Sequence, residues 1–251
     1  MKQHSFTAPG ESGGGSSLGD VIGDGKRHPR RPAHPPAGET VYRRFIPWLN
    51  QWLTLRTINP DSDLDSFHRW MNNPRVAKFW EEDGSIDQHQ VFIAKALADP
   101  HVHPLVGCLD EKAFGYFEVY WAKEDRIAPF YAAADYDRGV HMLVGEEWAR
   151  GPHNIAAWLP SLVDYVLLDD KRTHTVVCEP RADNLRMIDY LQKTGFVFQR
   201  EFDFPHKRAA LLILERAVFA QGEWLEEGFG VDHKQIACPL TSRVNETHSR
   251  L

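Results

Sequence analysis

The most informative passage of the sequence reads Asp137-Arg-Gly-Val-His-Met-Leu-Val-Gly145 and continues as Glu146-Glu-Trp-Ala-Arg-Gly-Pro-His153. Its first part predicts a β-strand that carries His141, and the apolar residues spaced through 155–166 predict a helix after it. Arg150 and Gly151 would then lie just before the helix, where unpaired N–H groups and the positive end of the helix dipole attract anions. A glycine before a helix is common, so this turn indicates a phosphate site only together with further motifs.

Strand and helix patterns surround this passage in a regular order. Alternating apolar residues predict strands, a helical period predicts helices, and a Ser85-Ile-Asp-Gln88 capping box marks one helix start. Pro160 falls inside the predicted helix of residues 146–170 and should kink or restart it. The other predicted elements are strands at 52–58, 102–109, 113–121, 140–144, 175–178, 196–204 and 209–215, and helices at 64–71, 85–97 and 184–193. Together they predict one α/β domain in the order β-α-α-β-β-β-α-β-α-β-β.

Two flanking segments differ in composition from the predicted domain. Residues 1–38 are rich in Gly and Pro and contain a single aromatic residue, Phe6, so they cannot build a core. Residues 221–251 are polar and weakly patterned. The predicted organisation is therefore a flexible, disordered leader (1–38), a folded domain (39–220) and a C-terminal tail (221–251).

Composition narrows the possible functions. The chain has 251 residues with 29 Lys and Arg against 35 Asp and Glu, a net charge of −6, which argues against nucleic acid as a partner. No apolar run approaches the roughly 20 residues of a membrane span, and the N-terminus lacks the apolar part of a secretory signal. Three dispersed cysteines are typical of a reducing compartment, so we expect a cytoplasmic protein. His101 and His103 lack a third ligand at a supporting spacing, so no metal is expected.

Two local motifs carry a resemblance to a known superfamily. Arg150-Gly-Pro-His-Asn154 stands, in altered form, where that superfamily has its pyrophosphate-binding loop. Asn184 at a predicted helix start, with Gly195-Phe196 after the helix, matches a second motif. With the order of elements, these motifs make the domain resemble the GCN5-related N-acetyltransferases (GNAT). The resemblance implies a mixed, mostly antiparallel central sheet flanked by helices, and acyl-CoA as the co-substrate.

Four segments spread over residues 53–215 carry a narrower resemblance. They are Phe67-His-Arg-Trp-Met-Asn-Asn-Pro-Arg-Val76 with Phe79-Trp80, Gly115-Tyr-Phe-Glu-Val-Tyr-Trp121 with Glu124-Asp-Arg126, Asp137-Arg-Gly-Val-His-Met-Leu-Val-Gly145, and Val177-Cys-Glu-Pro-Arg-Ala-Asp-Asn184. In this order they resemble the acyltransferases that make hydroxamate siderophores of the aerobactin, rhizobactin, alcaligin and mycobactin type.

The resemblance implies roles for individual residues. His141 is the expected general base, because imidazole titrates near neutral pH, and Asp183 is its expected carboxylate partner. The expected contacts to acyl-CoA are Met142, Leu143, Val144, Arg150, Gly151, His153, Asn154 and Asn184. The expected contacts to the acceptor are Phe79, Trp80, Glu118, Tyr120 and Trp121.

Several of these residues also have a purely structural explanation. His141 could be a core histidine with satisfied hydrogen bonds. Tyr120 and Trp121 could be packing residues of a hairpin, and Phe79-Trp80 could belong to the core. Asn184 could act only as a helix cap.

Leu191 is a departure from the resemblance. Many relatives carry at that position a tyrosine that protonates the leaving thiolate of coenzyme A, whereas here Tyr190 lies one position earlier and about 100° around the helix. An N-hydroxylated amine is far less basic than an alkylamine and is largely neutral before it reacts. The missing tyrosine is therefore more easily tolerated with such an acceptor.

The expected function is transfer of an acetyl or succinyl group from acyl-CoA to an N-hydroxylated diamine or N6-hydroxylysine, which gives a hydroxamate for siderophore biosynthesis. Two alternatives stay open: an aminoglycoside-type N-acetyltransferase and a non-catalytic acyl-CoA-binding module. The expected partner is a small hydroxylamine acceptor, with an amine hydroxylase and a siderophore synthetase as functional associates. No nucleic acid or membrane partner is expected.

Overall fold

A computed structural model describes residues 20–22, 26–28 and 31–226. The chain divides into two compact units, residues 1–34 and residues 35–251. In the first unit, β1 (Asp20–Ile22) and β2 (Lys26–His28) form an antiparallel pair. Most of the predicted leader, with the flexibility expected of it, and most of the predicted tail lie outside the described residues.

The second unit opens with a strand hairpin and three helices. β3 (Thr40–Ile46) pairs with β4 (Gln51–Thr57), and α1 (Pro60–Met71), α2 (Pro74–Trp80) and α3 (Ile86–Ala98) follow. β4, α1 and α3 confirm the predicted elements, and Ser85 and Gln88 form the predicted capping box. β3 and α2 are additional elements. The side chain of Asn73 caps α2 and Pro74 begins it, so this short helix starts where the sequence pattern predicted only a break.

Three consecutive antiparallel strands follow. β5 (Val102–Leu109), β6 (Lys112–Trp121) and β7 (Arg138–Val144) pair in chain order. Asp110 and Glu111 make the tight turn between β5 and β6 with positive φ angles of 44° and 68°. The predicted hairpin is confirmed, and β7 begins two residues before the predicted strand.

The last part of the domain contains α4 (Pro152–Asp169), β8 (Thr175–Cys178), α5 (Leu185–Lys193), β9 (Val197–Asp203), β10 (Arg208–Glu215) and α6 (Arg216–Gln221). The prediction that Pro160 restarts the helix is wrong, because α4 continues through it. The carbonyl of Ala157, in the preceding turn, accepts hydrogen bonds from the side chains of Ser161 and Arg44. The hydrogen bond that Pro160 cannot form is the one to Ala156 O, so these bonds lie beside the missing one and do not replace it.

Eight strands form one sheet in the order β3-β4-β5-β6-β7-β8-β10-β9. Every neighbouring pair is antiparallel except β7 and β8, which are parallel and joined through α4. This arrangement confirms the expected mostly antiparallel sheet. Among the described residues, no helix is long and apolar enough to cross a membrane.

The two faces of the sheet have separate cores. Successive strand residues point to opposite faces, so Phe117 packs against Trp158 of α4 whereas Tyr116 packs against Phe67 of α1. Glu118 has the same parity as Tyr116 and therefore faces the side of α1, α2 and α3.

Candidate active site

Three ionisable side chains form a row across β6, β7 and β8. Glu118 on β6 is the cross-strand partner of His141 on β7. Gly139 lies opposite Val177 in the parallel β7–β8 pair, so His141 comes level with Glu179, the first residue after β8. His141 Nδ1 lies 2.9 Å from Glu118 Oε2, and His141 Nε2 lies 2.7 Å from Glu179 Oε1. We call Glu118, His141 and Glu179 the charged row.

The two carboxylates determine the charge of His141. A neutral imidazole has one N–H and would present a lone pair to one of the two carboxylates. Burial lowers the pKa of His141, but attraction by Glu179 and hydrogen bonds to both carboxylates outweigh burial and raise it to about 10. At neutral pH His141 is therefore an imidazolium in this arrangement. The sequence interpretation had assigned the role of base to a neutral imidazole.

Glu179 is ionised because it is the partner of His141 in the same ion pair. Its side chain is fully buried, and burial alone would raise its pKa. Attraction and a hydrogen bond from His141, with smaller contributions from Lys207 and Tyr120, instead lower the pKa of Glu179 to about 2. Such a buried ion pair requires partners for its remaining polar atoms, because desolvation otherwise exceeds the Coulombic gain.

Two buried tyrosines supply those partners. Tyr116 Oη donates to Glu118 Oε1 at 2.9 Å, and Tyr120 Oη donates to Glu179 Oε2 at 2.7 Å. Burial raises the pKa of both hydroxyls well above the usual value, so both stay protonated donors. The ring of Tyr120 also lies beside that of His141, with 4.6 Å between centroids. The charged row is thus held at both ends.

Gly139 makes room for this arrangement. It is the cross-strand partner of Tyr120, and a Cβ at Gly139 would lie 2.0 Å from the Tyr120 ring. Only a glycine lets that ring cross β7 and reach Glu179. The glycine of the Asp137-Arg-Gly passage therefore has a packing role in the site.

β7 and β8 separate beside the charged row. Among the described residues their pairing consists of Arg138 with Val176 and Gly139 with Val177. Beyond Gly139, the edge of β7 that faces β8 has no partner strand among the residues that the structure describes. The expected acyl-CoA segment, Met142, Leu143 and Val144, lies on this part of β7. Backbone N–H groups on such an edge can bind the carbonyl oxygen of a thioester.

The expected pyrophosphate turn lies directly after β7. Gly151 has a φ of 98° and caps α4 with its backbone, and no atom lies within 4 Å of the position of an added Cβ. Arg150 Nη2 donates to Gly145 O at 3.3 Å, which holds the guanidinium near the end of β7. Asn154 Nδ2 donates to Arg150 O at 2.9 Å, and His153 O accepts from Trp48 Nε1 at 3.1 Å. The turn is fixed from both sides and leaves the first N–H groups of α4 open for an anion.

A cleft of about 290 Å³ opens beside the charged row. Phe79, Trp80 and Glu118 line it, as expected of acceptor-binding residues. The ring of Trp80 lies 6.3 Å from that of His141. The cleft is therefore an aromatic-walled pocket with the charged row at one side.

Two of the expected acceptor residues do not line this cleft. Tyr120 is buried behind His141 and acts on Glu179 instead. Trp121 faces the opposite side of the sheet, where the Arg138 guanidinium lies 4.0 Å over its ring. Consecutive residues of one strand point in opposite directions, so both could not face the acceptor.

Asp183 does not contact His141. Its carboxylate oxygens accept hydrogen bonds from Arg181 Nε at 3.0 Å and Nη2 at 3.1 Å, and 55% of its side chain is exposed. Glu179 takes the expected place of Asp183 beside His141. The physical reason is the parallel pairing of β7 with β8, which brings residue 179 level with the histidine.

α5 forms another wall of the cleft. Asn184 Oδ1 accepts from Met187 N at 3.4 Å, so Asn184 caps the helix while also lining the cleft. Leu191 lines the cleft, whereas Tyr190 does not and packs against the main core, with Lys193 over its ring. Tyr190 therefore does not replace the tyrosine that many relatives carry at the Leu191 position.

Neither of the two cysteines that the structure describes supports thiol chemistry. Cys108 and Cys178 are buried, and burial raises the pKa of both thiols. Cys178 lines the cleft, but its thiol remains protonated at neutral pH and is a poor nucleophile. Among the described residues, no group of three or more His, Cys, Asp or Glu side chains could hold a metal ion.

Sequence reasoning did not assign a role to Glu179, Tyr116, Arg126 or Lys207. Glu179 had a usable signal, since it directly follows a buried strand and precedes Pro180. Lys207 had none. Its Nζ donates to Glu179 O at 2.9 Å only because β10 pairs with β8, and no local pattern predicts that pairing.

With this geometry established, comparisons with known proteins identify the family. The model of the acetyltransferase (GNAT) domain matches residues 59–204, more than half of the chain. The chain therefore belongs to the GNAT acetyltransferase family. An uncharacterised protein from Bacillus halodurans has a similar structure, with a TM-score of 0.69, 29% identity, and coverage of 74% of this chain and 94% of that one. An aminoglycoside acetyltransferase solved with coenzyme A shares the fold at 23% identity, a TM-score of 0.60, and coverage of 67% and 97%.

Curated relatives are more similar in sequence. The N(6)-hydroxylysine O-acetyltransferase of Escherichia coli is 42% identical over 80% of this chain and 64% of its own length. An N(5)-hydroxyornithine:cis-anhydromevalonyl coenzyme A-N(5)-transacylase of Beauveria bassiana is 43% identical over 77% of this chain and 43% of its own. A hydroxyornithine transacylase of Ajellomyces capsulatus is 42% identical over 77% and 44%. The chain thus spans between 43% and 64% of the length of these relatives.

Proposed function

We propose that this protein transfers an acyl group from acyl-CoA to the nitrogen of an N-hydroxylated amine and so forms a hydroxamate. The observation that carries the proposal is the charged row, which lies in a cleft at the point where β7 leaves β8 in a GNAT domain. The acceptor class is supported by relatives whose names specify hydroxylysine or hydroxyornithine.

The proposed acyl-CoA site follows the open edge of β7. The thioester carbonyl would accept from backbone N–H groups of residues 142–144, and the pyrophosphate would lie at the turn of Arg150 and Gly151. The two positions are joined by the end of β7, so a single extended ligand can reach both. Donors aimed at the carbonyl oxygen stabilise the negative charge that develops there in the transition state.

Glu118 is the proposed proton acceptor. The acceptor nitrogen attacks the thioester carbon, the C–S bond breaks, and the nitrogen loses its proton while the thiolate leaves and is protonated by solvent. His141 is already protonated, so the nearest group able to receive that proton is the partly exposed Glu118 carboxylate, with 13% of its side chain exposed. His141 would orient Glu118 and stabilise its charge, as a positioning residue.

Direct transfer suits this site better than an acyl-enzyme. Among the described residues, Cys178 is the only cysteine that lines the cleft, and its thiol is buried and protonated. A hydroxylamine is a reactive and mostly neutral nucleophile, so positioning supplies much of the required acceleration. Both reactants would therefore bind together in a ternary complex.

The remaining expectations belong to the same proposal. The donor is acetyl-CoA or succinyl-CoA. A flavin-type amine hydroxylation must supply an N-hydroxylated acceptor, and a synthetase would consume the hydroxamate, so both enzymes are proposed functional associates. The proposed compartment is the cytoplasm, where acyl-CoA is available.

The test is a turnover assay with the full chain. Acetyl-CoA or succinyl-CoA would be combined with N6-hydroxylysine, N5-hydroxyornithine, N-hydroxyputrescine or N-hydroxycadaverine, with lysine as the unhydroxylated control. We expect free thiol to be released together with a product that gives the coloured ferric complex of a hydroxamate, which an O-acyl product would not give. Coenzyme A binding without thiol release across the whole panel would contradict the proposal and favour a non-catalytic acyl-CoA-binding module.

A further inference from the structure

A group of cations shares the cleft with the charged row. Arg126, in the loop between β6 and β7, and Lys207, in the turn before β10, both line the cleft. Their charged groups lie over the same ring, that of Phe204, at 5.3 Å and 5.5 Å from its centroid. Arg181 lines the cleft as well. Three positive side chains from three separate segments therefore line the same cleft. We call Arg126, Arg181 and Lys207 the cationic wall.

The positive charge of this wall is not fully compensated within the described residues. Arg181 pairs with Asp183. Lys207 Nζ lies 3.9 Å from Glu179 Oε1, but that carboxylate already has His141 as its partner at 2.7 Å. Among the described residues, Arg126 forms no side-chain hydrogen bond or ion pair, and the carboxylates of Glu82 and Asp125 interact with its charge only at longer range. Arg126 and Lys207 are thus the two cations in the cleft without a close carboxylate of their own, although Glu82, Glu118 and Glu179 line the same cleft.

Burial raises the energetic cost of holding these two cations close together. The Lys207 side chain is 14% exposed, and burial together with repulsion from Arg126 and Arg181 lowers the pKa of its ammonium, partly offset by attraction from Glu179. Asp125, beside Arg126, is a buried carboxylate whose attraction for Lys207 offsets part of this repulsion, and it accepts from Ile127 N at 2.9 Å. An anionic group of a ligand in the cleft would relieve the repulsion.

The sequence left two acceptor classes open, N-hydroxydiamines and ω-hydroxylamino acids. They differ in whether they carry an anionic group. An N-hydroxydiamine ends in an ammonium and carries no group that Arg126 or Lys207 could bind. An ω-hydroxylamino acid ends in a carboxylate beside an ammonium, and Glu82, which also lines the cleft, is available for the ammonium. The carboxylate is therefore the group by which the site can favour one acceptor class over the other.

We propose that Arg126 and Lys207 bind the terminal carboxylate of the acceptor and thereby select an ω-hydroxylamino acid over an N-hydroxydiamine. This inference rests on the proposed acyl transfer and adds to it the residues that determine specificity. Arg126 is the more informative of the two, because its guanidinium can donate two parallel hydrogen bonds to a carboxylate. Lys207 also donates to the backbone of Glu179, so replacing it would disturb the charged row as well.

The experiment compares N6-hydroxylysine with N-hydroxycadaverine, which is the same chain without the carboxylate. In Arg126→Gln, we expect the KM for N6-hydroxylysine to rise about tenfold or more, the range of a lost charge-assisted hydrogen bond, with little change for N-hydroxycadaverine. Arg126→Lys should recover part of the loss. Arg200→Gln is the matched control, since Arg200 is an exposed arginine on the neighbouring Phe202 ring and outside the cleft.

Two results would overturn the inference. One is an equal loss for both acceptors in Arg126→Gln, and the other is a rise in the KM for acyl-CoA in place of the acceptor, which would assign the cations to the coenzyme. Calorimetric binding of both acceptors to the CoA-loaded protein needs no turnover. It separates the two proposals: equal affinity of the wild type for both acceptors would overturn the carboxylate site, whereas selective binding without product would sustain it and contradict only acyl transfer.

Discussion

His103 and His141 are two enclosed histidines only two strands apart, with different partners. His103 on β5 lies opposite Val119, and its ring nitrogens contact Thr57 Oγ1 and Tyr165 Oη, both at 2.9 Å. His141 on β7 lies opposite Glu118 and has carboxylates at both nitrogens. Both rings have two hydrogen-bond partners, so satisfied hydrogen bonding does not separate a core histidine from a functional one.

The charge of the partners and the position of the ring distinguish His141 from His103. The hydroxyl partners of His103 can each donate or accept, so a neutral ring satisfies both. The two carboxylates at His141 only accept when ionised, and they hold the ring as an imidazolium. His103 is 1% exposed among core residues, whereas His141 lines the cleft. The comparison predicts that one histidine supports folding and the other supports activity.

Replacing each histidine should give the largest contrast. For His141→Asn we expect kcat/KM to fall by roughly 10²–10⁴, the range associated with positioned proton-transfer groups, because Glu118 loses its charged neighbour. Steady-state kinetics on protein shown to be folded by circular dichroism would measure this effect.

His103→Asn is the matched control for that variant. It removes a hydrogen bond in the core, so we expect a lower thermal midpoint from a loss of about 1–3 kcal/mol, with kcat/KM of the folded protein nearly unchanged. Equal losses of activity in the two variants would contradict the distinction between the two histidines, since both would then be structural.

Glu179→Gln tests the charge of His141 with an almost unchanged shape. The wild-type pKa of His141 is raised to about 10 mainly by attraction to Glu179, so kcat/KM should show no step near pH 6.5 that belongs to this ring. Without the Glu179 charge, the pKa should move back toward neutrality. We expect the variant to lose roughly tenfold to a hundredfold at pH 8, where its ring has become neutral, and less at pH 6. A pH profile parallel to that of the wild type would contradict this account.

The free energy of unfolding should depend on pH through the ion pair of His141 and Glu179. The folded-state pKa of His141 lies above its usual value of 6.5, so its contribution is fully present below pH 6.5 and is lost as the pH rises toward 10. The pKa of Glu179 lies below its usual 4.5, so its contribution is present above pH 4.5 and is lost as the pH falls toward 2. The difference in urea midpoint between wild type and His141→Asn should therefore shrink from pH 6 to pH 9. A constant difference would show that His141 is not charged by the fold.

The smallest effect is expected at the other candidate carboxylate. Asp183 is exposed and bonded to Arg181, so Asp183→Asn should change kcat/KM by less than about twofold, as for other exposed ion pairs. A loss as large as that of Glu179→Gln would place Asp183 at His141 and reverse the assignment of the two carboxylates.

Local patterns in the sequence predicted most of the elements that build the site. The strand of His141, the helix after it and the capping box at Ser85 depend on neighbouring residues, and the structure contains all three. The order of the quoted motifs also predicted the family, which the GNAT domain match confirms.

The partner of His141 could not be predicted in the same way. Its identity depends on the register between β7 and β8, two strands joined by α4, and although Glu179 directly follows a buried strand, no local pattern gives that register. The convergence of Arg126 and Lys207 has the same cause, since it requires the positions of two distant turns. Alternation along β6 was available from the sequence and should have excluded the joint assignment of Tyr120 and Trp121 to the cleft.

The protonation state of His141 is the most direct test of this account. Protein labelled with ¹⁵N at histidine would be titrated by NMR between pH 5 and pH 10, with His141 identified by the signal missing in His141→Asn. We predict two protonated ring nitrogens through pH 8, because both face carboxylates and the pKa is raised to about 10. A ring that becomes neutral near pH 6.5 would contradict the charged row and return His141 to the role of an ordinary imidazole base.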